Sequence, residues 1–249
     1  MSATLMLALV VTMIGTSFLS GIFGMAGGMI LMGVLLAFLP VPETMALHAV
    51  TQMASNGWRG LLWWRHIQWR AAAAFLIGCA VAFAIWTLWR YVPSKPVALI
   101  LLGVSPFLVR LVPAKFKPDP ERLLHGVLYG SACMTLMLLA GVSGPLIDTY
   151  FLGGKFERRQ IVATKAVCQI FSHGAKFAYF GGLVDQAASL DPIMGALAVA
   201  ASMVGTSAAR PILDRLTDTQ YRTWATRIIT AIALVYLVQG SYLLLSWKT

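Results

Sequence analysis

Four polar side chains interrupt an otherwise apolar stretch late in the chain: Lys165, Gln169, His173 and Lys176, spaced i, i+4, i+8 and i+11. On a helix of 3.6 residues per turn they fall within an arc of about 80°. The same spacing occurs earlier as His48, Gln52, Asn56 and Arg59, each 117 positions before its partner. Ser55 and Ser172 form a further matched pair. In a bilayer, a central Lys or Arg costs roughly 2.5–3.5 kcal/mol on insertion scales, so a cavity, a partner group or a ligand must offset it. The groups on offer are ammonium, imidazole and amide donors, a set that suits an anion held by charge-assisted hydrogen bonds. Two plainer roles compete. Gln, Ser and His hydrogen-bond neighbouring helices, and Arg59 and Lys176, near segment ends, are long enough to snorkel to headgroups. Few acids are present to oppose the positive charge. Asp148 is the one acid well inside an apolar segment, and Glu43 is near a boundary. Asp148 pairs with a lysine, carries a proton, or neutralises its neighbours; the sequence leaves all three open.

The elements that carry these residues are membrane helices. Only 11% of the 249 residues are charged, less than half the fraction usual in a soluble domain. Apolar runs cover 4–22, 29–39, 44–58, 71–89, 97–112, 124–140, 145–153, 161–180, 192–208 and 223–246. Several approach the ~20 residues that span a bilayer. They are continuous and not alternating, so helices and not a barrel are expected. The N-terminal run lacks a basic flank and a cleavage site and reads as the first helix and not a signal peptide. The net charge of +10 resides in short loops, where it records orientation and not nucleic-acid binding. Cys79, Cys133 and Cys168 lie within apolar runs with no CxxC spacing, so neither a disulfide framework nor a metal site is expected.

Two short runs follow glycine-containing turns, GMAGG (24–28) and GVSGP (141–145). Short, glycine-interrupted segments at matching places in two halves point to a transporter's binding site. A helix starting near Gly28 or Pro145 would aim N–H groups at a ligand, with Gly27, Gly28 and Gly144 allowing close approach. A tight hairpin between helices accounts for the same glycines.

The offset of 117 also aligns the two turns, and without a gap it places ALHAVTQMASNG (46–57) on ATKAVCQIFSHG (163–174). The expected organisation is a first membrane repeat, 1–112, a basic cytoplasmic linker, 113–123, and a second repeat, 124–249. The loop 59–70 carries three arginines, whereas its counterpart 181–191 carries no Lys or Arg. Conversely, 41–43 has no base where Lys155, Arg158 and Arg159 crowd the second copy. By the positive-inside rule the copies face opposite sides, an inverted-topology repeat. The fold class is therefore all-α, polytopic, with about 8–10 transmembrane or half-spanning helices, and both termini fall on the external side. Trp58, Trp63, Trp64 and Trp69, and then Trp86, Trp89 and Tyr91, read as interfacial anchors.

The glycine-bearing turn early in each half, the AxxAVxQxxSxG helix that follows it and the basic linker together resemble the TauE/SafE family of sulfite exporters and related anion permeases. The resemblance covers nearly the whole chain, with 162–182 closest to the pattern. Met25 and Ala26 stand where many members carry glycine. The resemblance implies export or uptake of sulfite, organosulfonates or similar small sulfur-containing anions.

The expected function is thus a secondary carrier in a bacterial inner membrane, working by alternating access at a cationic midplane site. The expected partners are a small anion, lipid, a coupling proton or other ion, and a second copy of the chain if it oligomerises; no cofactor is expected. The sequence has no GxxxxGK[ST] to bind ATP, so the expected driving force is an ion gradient, a partner ATPase or the substrate's own gradient. An intramembrane enzyme lacks HExxH and GxSxG, and His48, His125 and His173 have no adjacent acids. A channel, an exporter of another small organic anion, or a non-transporting scaffold are the alternatives.

Overall fold

The computed structural model describes residues 2–23, 25–111, 118–152, 154–184, 188–213, 215 and 218–246. Gly24 and the first five residues of the expected linker, 113–117, lie outside them. The described residues form ten α-helices and no strand: α1 (Ala3–Phe23), α2 (Met25–Phe38), α3 (Val41–Leu62), α4 (Trp69–Trp89), α5 (Lys95–Arg110), α6 (Leu123–Ala140), α7 (Gly144–Leu152), α8 (Arg158–Ala178), α9 (Pro192–Leu213) and α10 (Asp218–Ser246). The chain is an all-α polytopic membrane protein. α1, α4, α6, α9 and α10 are long and apolar enough to cross a bilayer, and α2 and α5 are shorter apolar helices. α3 and α8 have the length to span, at 22 and 21 residues, but carry the two polar stripes. α7, at nine residues, reaches only about 14 Å at 1.5 Å per residue, half a hydrocarbon core.

Local chemistry explains where the key helices begin and end. α3 opens after Pro40 with a proline in its first positions and Glu43 in its first turn, which suits the missing N–H bonds and the positive dipole end. α8 opens with a capping box: Glu157 and Gln160 each bond the other's backbone N–H. α6 ends at Gly141, whose φ of 80° is left-handed. α7 then begins at Gly144, close to the expected Pro145, whereas α2 begins at Met25, three residues before the expected Gly28. α8 does not stop at Ala178 but widens into a π turn, Tyr179–Leu183.

Packing follows a pattern. α3 packs on α8, α5 on α10, α4 on α6, and α1 on α9. Replacing every helix by the one five places on returns the same set of pairs: the first two map onto themselves and the last two exchange. Smaller contacts obey the same exchange, with α3 on α9 matching α8 on α4, and α2 on α10 matching α7 on α5. Small residues make the tight pairs possible. Gly78 of α4 lies against the Val127 carbonyl of α6, and Gly130 of α6 against the Phe75 carbonyl of α4, so the two backbones touch. A large apolar cluster joins α2, α4, α5, α6, α7, α8 and α10, with Met45 of α3, and a smaller one joins α1, α2, α3 and α9. Trp64, Trp69 and Trp89 are exposed, as interfacial anchors would be.

Candidate functional site

α3 and α8 run antiparallel. His48 lies beside His173 and Lys176, Met53 faces Gly174, and Gly60 faces Ala166 and Ile170. Further along, the Gln68 backbone N–H donates to the Thr164 hydroxyl at 2.9 Å. The two polar stripes therefore run in opposite directions, and the sequence's single site divides into two clusters.

The first cluster is buried between the two helix breaks. Lys176 has no exposed surface, which settles the snorkelling alternative for this residue: its ammonium points inward. Nζ donates to the Gly141 carbonyl at 2.8 Å and meets His48 Nδ1 at 2.8 Å. The opposite ring nitrogen of His48, Nε2, lies 2.9 Å from the Gly28 carbonyl. A carbonyl only accepts, so Nε2 carries the hydrogen and Nδ1 accepts from Lys176. A continuous chain of bonds thus runs from α2 through α3 and α8 to the end of α6. The ring centroids of His48 and His173 are 5.5 Å apart. His173 is 3% exposed, and its Nδ1 has no hydrogen-bond partner among the described residues. Gln52, 6% exposed, stands against Gly28, where an added Cβ would lie 3.3 Å from the amide nitrogen.

The other ends of the stripes are engaged differently. Asn56 donates to the Gln52 carbonyl at 2.9 Å and accepts from Arg59 at 3.0 Å. Arg59 also donates to the Ser20 carbonyl, near the end of α1, at 3.4 Å. Arg59 and Lys176, 117 positions apart, thus both reach carbonyls at the C-terminal end of the helix before a break, where a cation complements the dipole. Ser55 pairs with Thr206 of α9 at 2.8 Å. Ser172 donates to the Cys168 carbonyl at 2.8 Å and lies 3.7 Å from Cys79 Sγ. Gln169 is half-buried.

Lys165 forms an ion pair with Asp148 of α7, both largely covered at 17% and 23% exposure. Pairing with a lysine was one of the roles the sequence left open for Asp148. Lys165 stands eleven residues from Lys176, about 16 Å along the helix, so Lys165 and His48 do not share a ligand shell. Gly27 packs against the Thr16 carbonyl and Ser20 of α1, and Gly144 against Met25 of α2. Gly27 thus serves the close α1–α2 hairpin, whereas Gly144 lets α7 approach the start of α2. The sequence reasoning missed the Gly141 carbonyl as a partner of Lys176, although its match to Gly24 in the repeated turn marked it. It also missed Thr206, for which no pattern offered a sign.

The geometry offers one buried ammonium, two imidazoles and an amide, with the flanking acid already committed elsewhere. Such a group can hold a small anion. Among the described residues no cluster of His, Cys, Asp and Glu is arranged to bind a metal. No curated protein and no solved structure matches the chain. A family model described as sulfite exporter TauE/SafE matches residues 7–236, nearly the whole chain, and the chain belongs to that family of membrane transporters.

Proposed function

We propose that the protein is a secondary carrier for small sulfur-containing anions, sulfite or an organosulfonate, in a bacterial inner membrane. The observation that carries this reading is Lys176: a wholly buried lysine whose hydrogen-bond partners are a carbonyl and an imidazole, with no carboxylate among them. A buried charge without a counter-charge is costly, and a bound anion supplies the missing one. His48, His173 and Lys176 form the centre of the proposed site, with Gln52 and the backbone near Gly28 and Gly141 at its rim. Lys165 is a flank, its charge balanced in place by Asp148. Gln169, Ser172, Ser55, Asn56 and Arg59 extend the polar path along the α3–α8 seam.

The alternating-access part of the proposal rests on duplication. The 117-residue offset relates the first residues of α3 and α8, Val41 and Arg158. Together with the exchange of packing pairs, it supports two five-helix repeats, 1–112 and 124–249. The opposed loop charges support their inversion, with both termini external. Rocking of one repeat against the other around a seam site then exposes it to either side.

The test is counterflow. Proteoliposomes preloaded with unlabelled sulfite should transiently accumulate labelled sulfite, with saturation, while protein-free vesicles should not. Flux that neither saturates nor shows counterflow indicates a channel, and absence of flux of sulfite and sulfonates alike removes the transport reading.

A further inference from the structure

Resting on the carrier reading, we propose further that a proton accompanies each anion through the protein and that His48 Nδ1 carries it. Nε2 of His48 is committed as a donor to the Gly28 carbonyl, so Nδ1 is the nitrogen left to take up a proton, and its lone pair is presently occupied by the Lys176 ammonium. A proton arriving from water forms an Nδ1–H bond on that lone pair. Two donors then face each other across the former 2.8 Å bond, and the bond is lost. Lys176 and the new Nδ1–H are freed together, beside the unpartnered Nδ1 of His173, and an anion oxygen accepts from both. On release the proton returns to water and the Lys176–His48 bond re-forms; nothing is oxidised or reduced.

The coupling follows from what each partial state lacks. With the proton and no anion, an imidazolium stands at hydrogen-bond distance from an ammonium. With the anion and no proton, the anion must compete with His48 for Lys176. Only the empty and doubly occupied sites leave His48 Nδ1 and Lys176 both partnered, so each ligand promotes the other.

Among the described residues His173 is the other imidazole beside His48, and the remaining titratable groups are engaged or lie farther off. α1 and α2 contain no titratable side chain, and α9 has only Arg210, in its last turn. From α8 come His173 and Lys176, already in the cluster, Cys168, and Lys165, which is paired with Asp148 of α7. The Tyr179 hydroxyl in the π turn donates to the Trp86 and Tyr91 carbonyls. On α3 itself, Glu43 projects about 140° around the helix from His48, and Arg59 bonds Asn56 and Ser20 at the far end.

The experiment uses methanesulfonate, an anion that stays ionised across the working pH range, so its own protonation cannot mimic coupling. Wild-type proteoliposomes with a clamped membrane potential and an internal pH dye should acidify as labelled methanesulfonate enters, a proton for each anion. An acidic exterior should drive accumulation above the external concentration. In H48Q the ratio of protons to methanesulfonate should fall towards zero, whatever the overall rate. Net methanesulfonate uptake into anion-free wild-type vesicles without acidification overturns this inference and leaves the carrier reading standing. An unchanged ratio in H48Q places the proton elsewhere and also overturns it. Absence of methanesulfonate counterflow in wild type overturns both the sulfonate carrier and the coupling.

Discussion

A lysine with no exposed surface ordinarily sits against a carboxylate, and in this chain Lys165 does so while Lys176 does not. The two therefore respond differently to substitution and to ligand. If the counter-charge of Lys176 is a transported anion, that anion stabilises the folded protein by mass action, by about 2.7 kcal/mol at a hundredfold excess over Kd. Sulfite or a sulfonate, and not chloride at equal ionic strength, should raise the unfolding temperature of the detergent-solubilised wild type. K176M should unfold cooperatively but show no such rise; an equal rise in both would place the anion elsewhere. For the flanking pair, D148L and K165M should each destabilise, while the double substitution K165M/D148L should recover most of the loss. A double-mutant cycle is expected to give a coupling of about 1–3 kcal/mol, and a value near zero would mean the pair is solvent-screened. The polar stripes themselves were legible in the sequence, because i, i+4, i+8, i+11 fixes a helix face without tertiary information. Whether Lys176 turned inward or out to headgroups was not legible, since both fates suit a lysine near a helix end. Nor was the Asp148–Lys165 choice legible, because it depends on how α7 folds back on α8.

At the scale of elements, the breaks between helices carry the design. Gly141 has a φ of 80° and its carbonyl holds Lys176. G141A should cost about 1–2 kcal/mol from the left-handed backbone alone, seen as a lower unfolding temperature. It should also weaken anion binding, because the carbonyl moves with the backbone. The α4–α6 contact makes a separate prediction: G78A pushes a methyl group against the Val127 carbonyl, and overpacking of this kind typically costs about 1–3 kcal/mol. That loss should appear in folded yield and thermal stability, while the remaining folded protein should bind anion with unchanged affinity. Each of the ten apolar runs in the sequence corresponds to one of the ten helices described. The boundaries differ where polar first turns belong to the helix: α3 starts at Val41 and includes Glu43, and α8 starts at Arg158. A hydropathy reading omits such turns because capping residues are polar by necessity.

At the scale of the whole molecule, the proposed duplication has its sign in the single offset of 117, but the way the two halves pack was not legible. No sequence pattern states that α3 packs on α8, or that α1 packs on α9 while α6 packs on α4. Antiparallel packing of the matched helices brings the beginning of one stripe to the end of the other, and so joins His48 to Lys176. Inversion makes a topological prediction. Cys79, Cys133 and Cys168 are buried, so the background for thiol labelling is low. A cysteine introduced at Arg65 should react with an impermeant reagent only from the cytoplasmic side, and one at Asp191 only from outside; same-side labelling would exclude inverted repeats.

The central claim, a carrier whose anion site is centred on Lys176, is tested most directly by sulfite counterflow into proteoliposomes holding wild type, K176M or K165M/D148L at matched folded protein. The account predicts transient accumulation of labelled sulfite by the wild type and by K165M/D148L, and none by K176M. Accumulation by K176M equal to that of the wild type would contradict it.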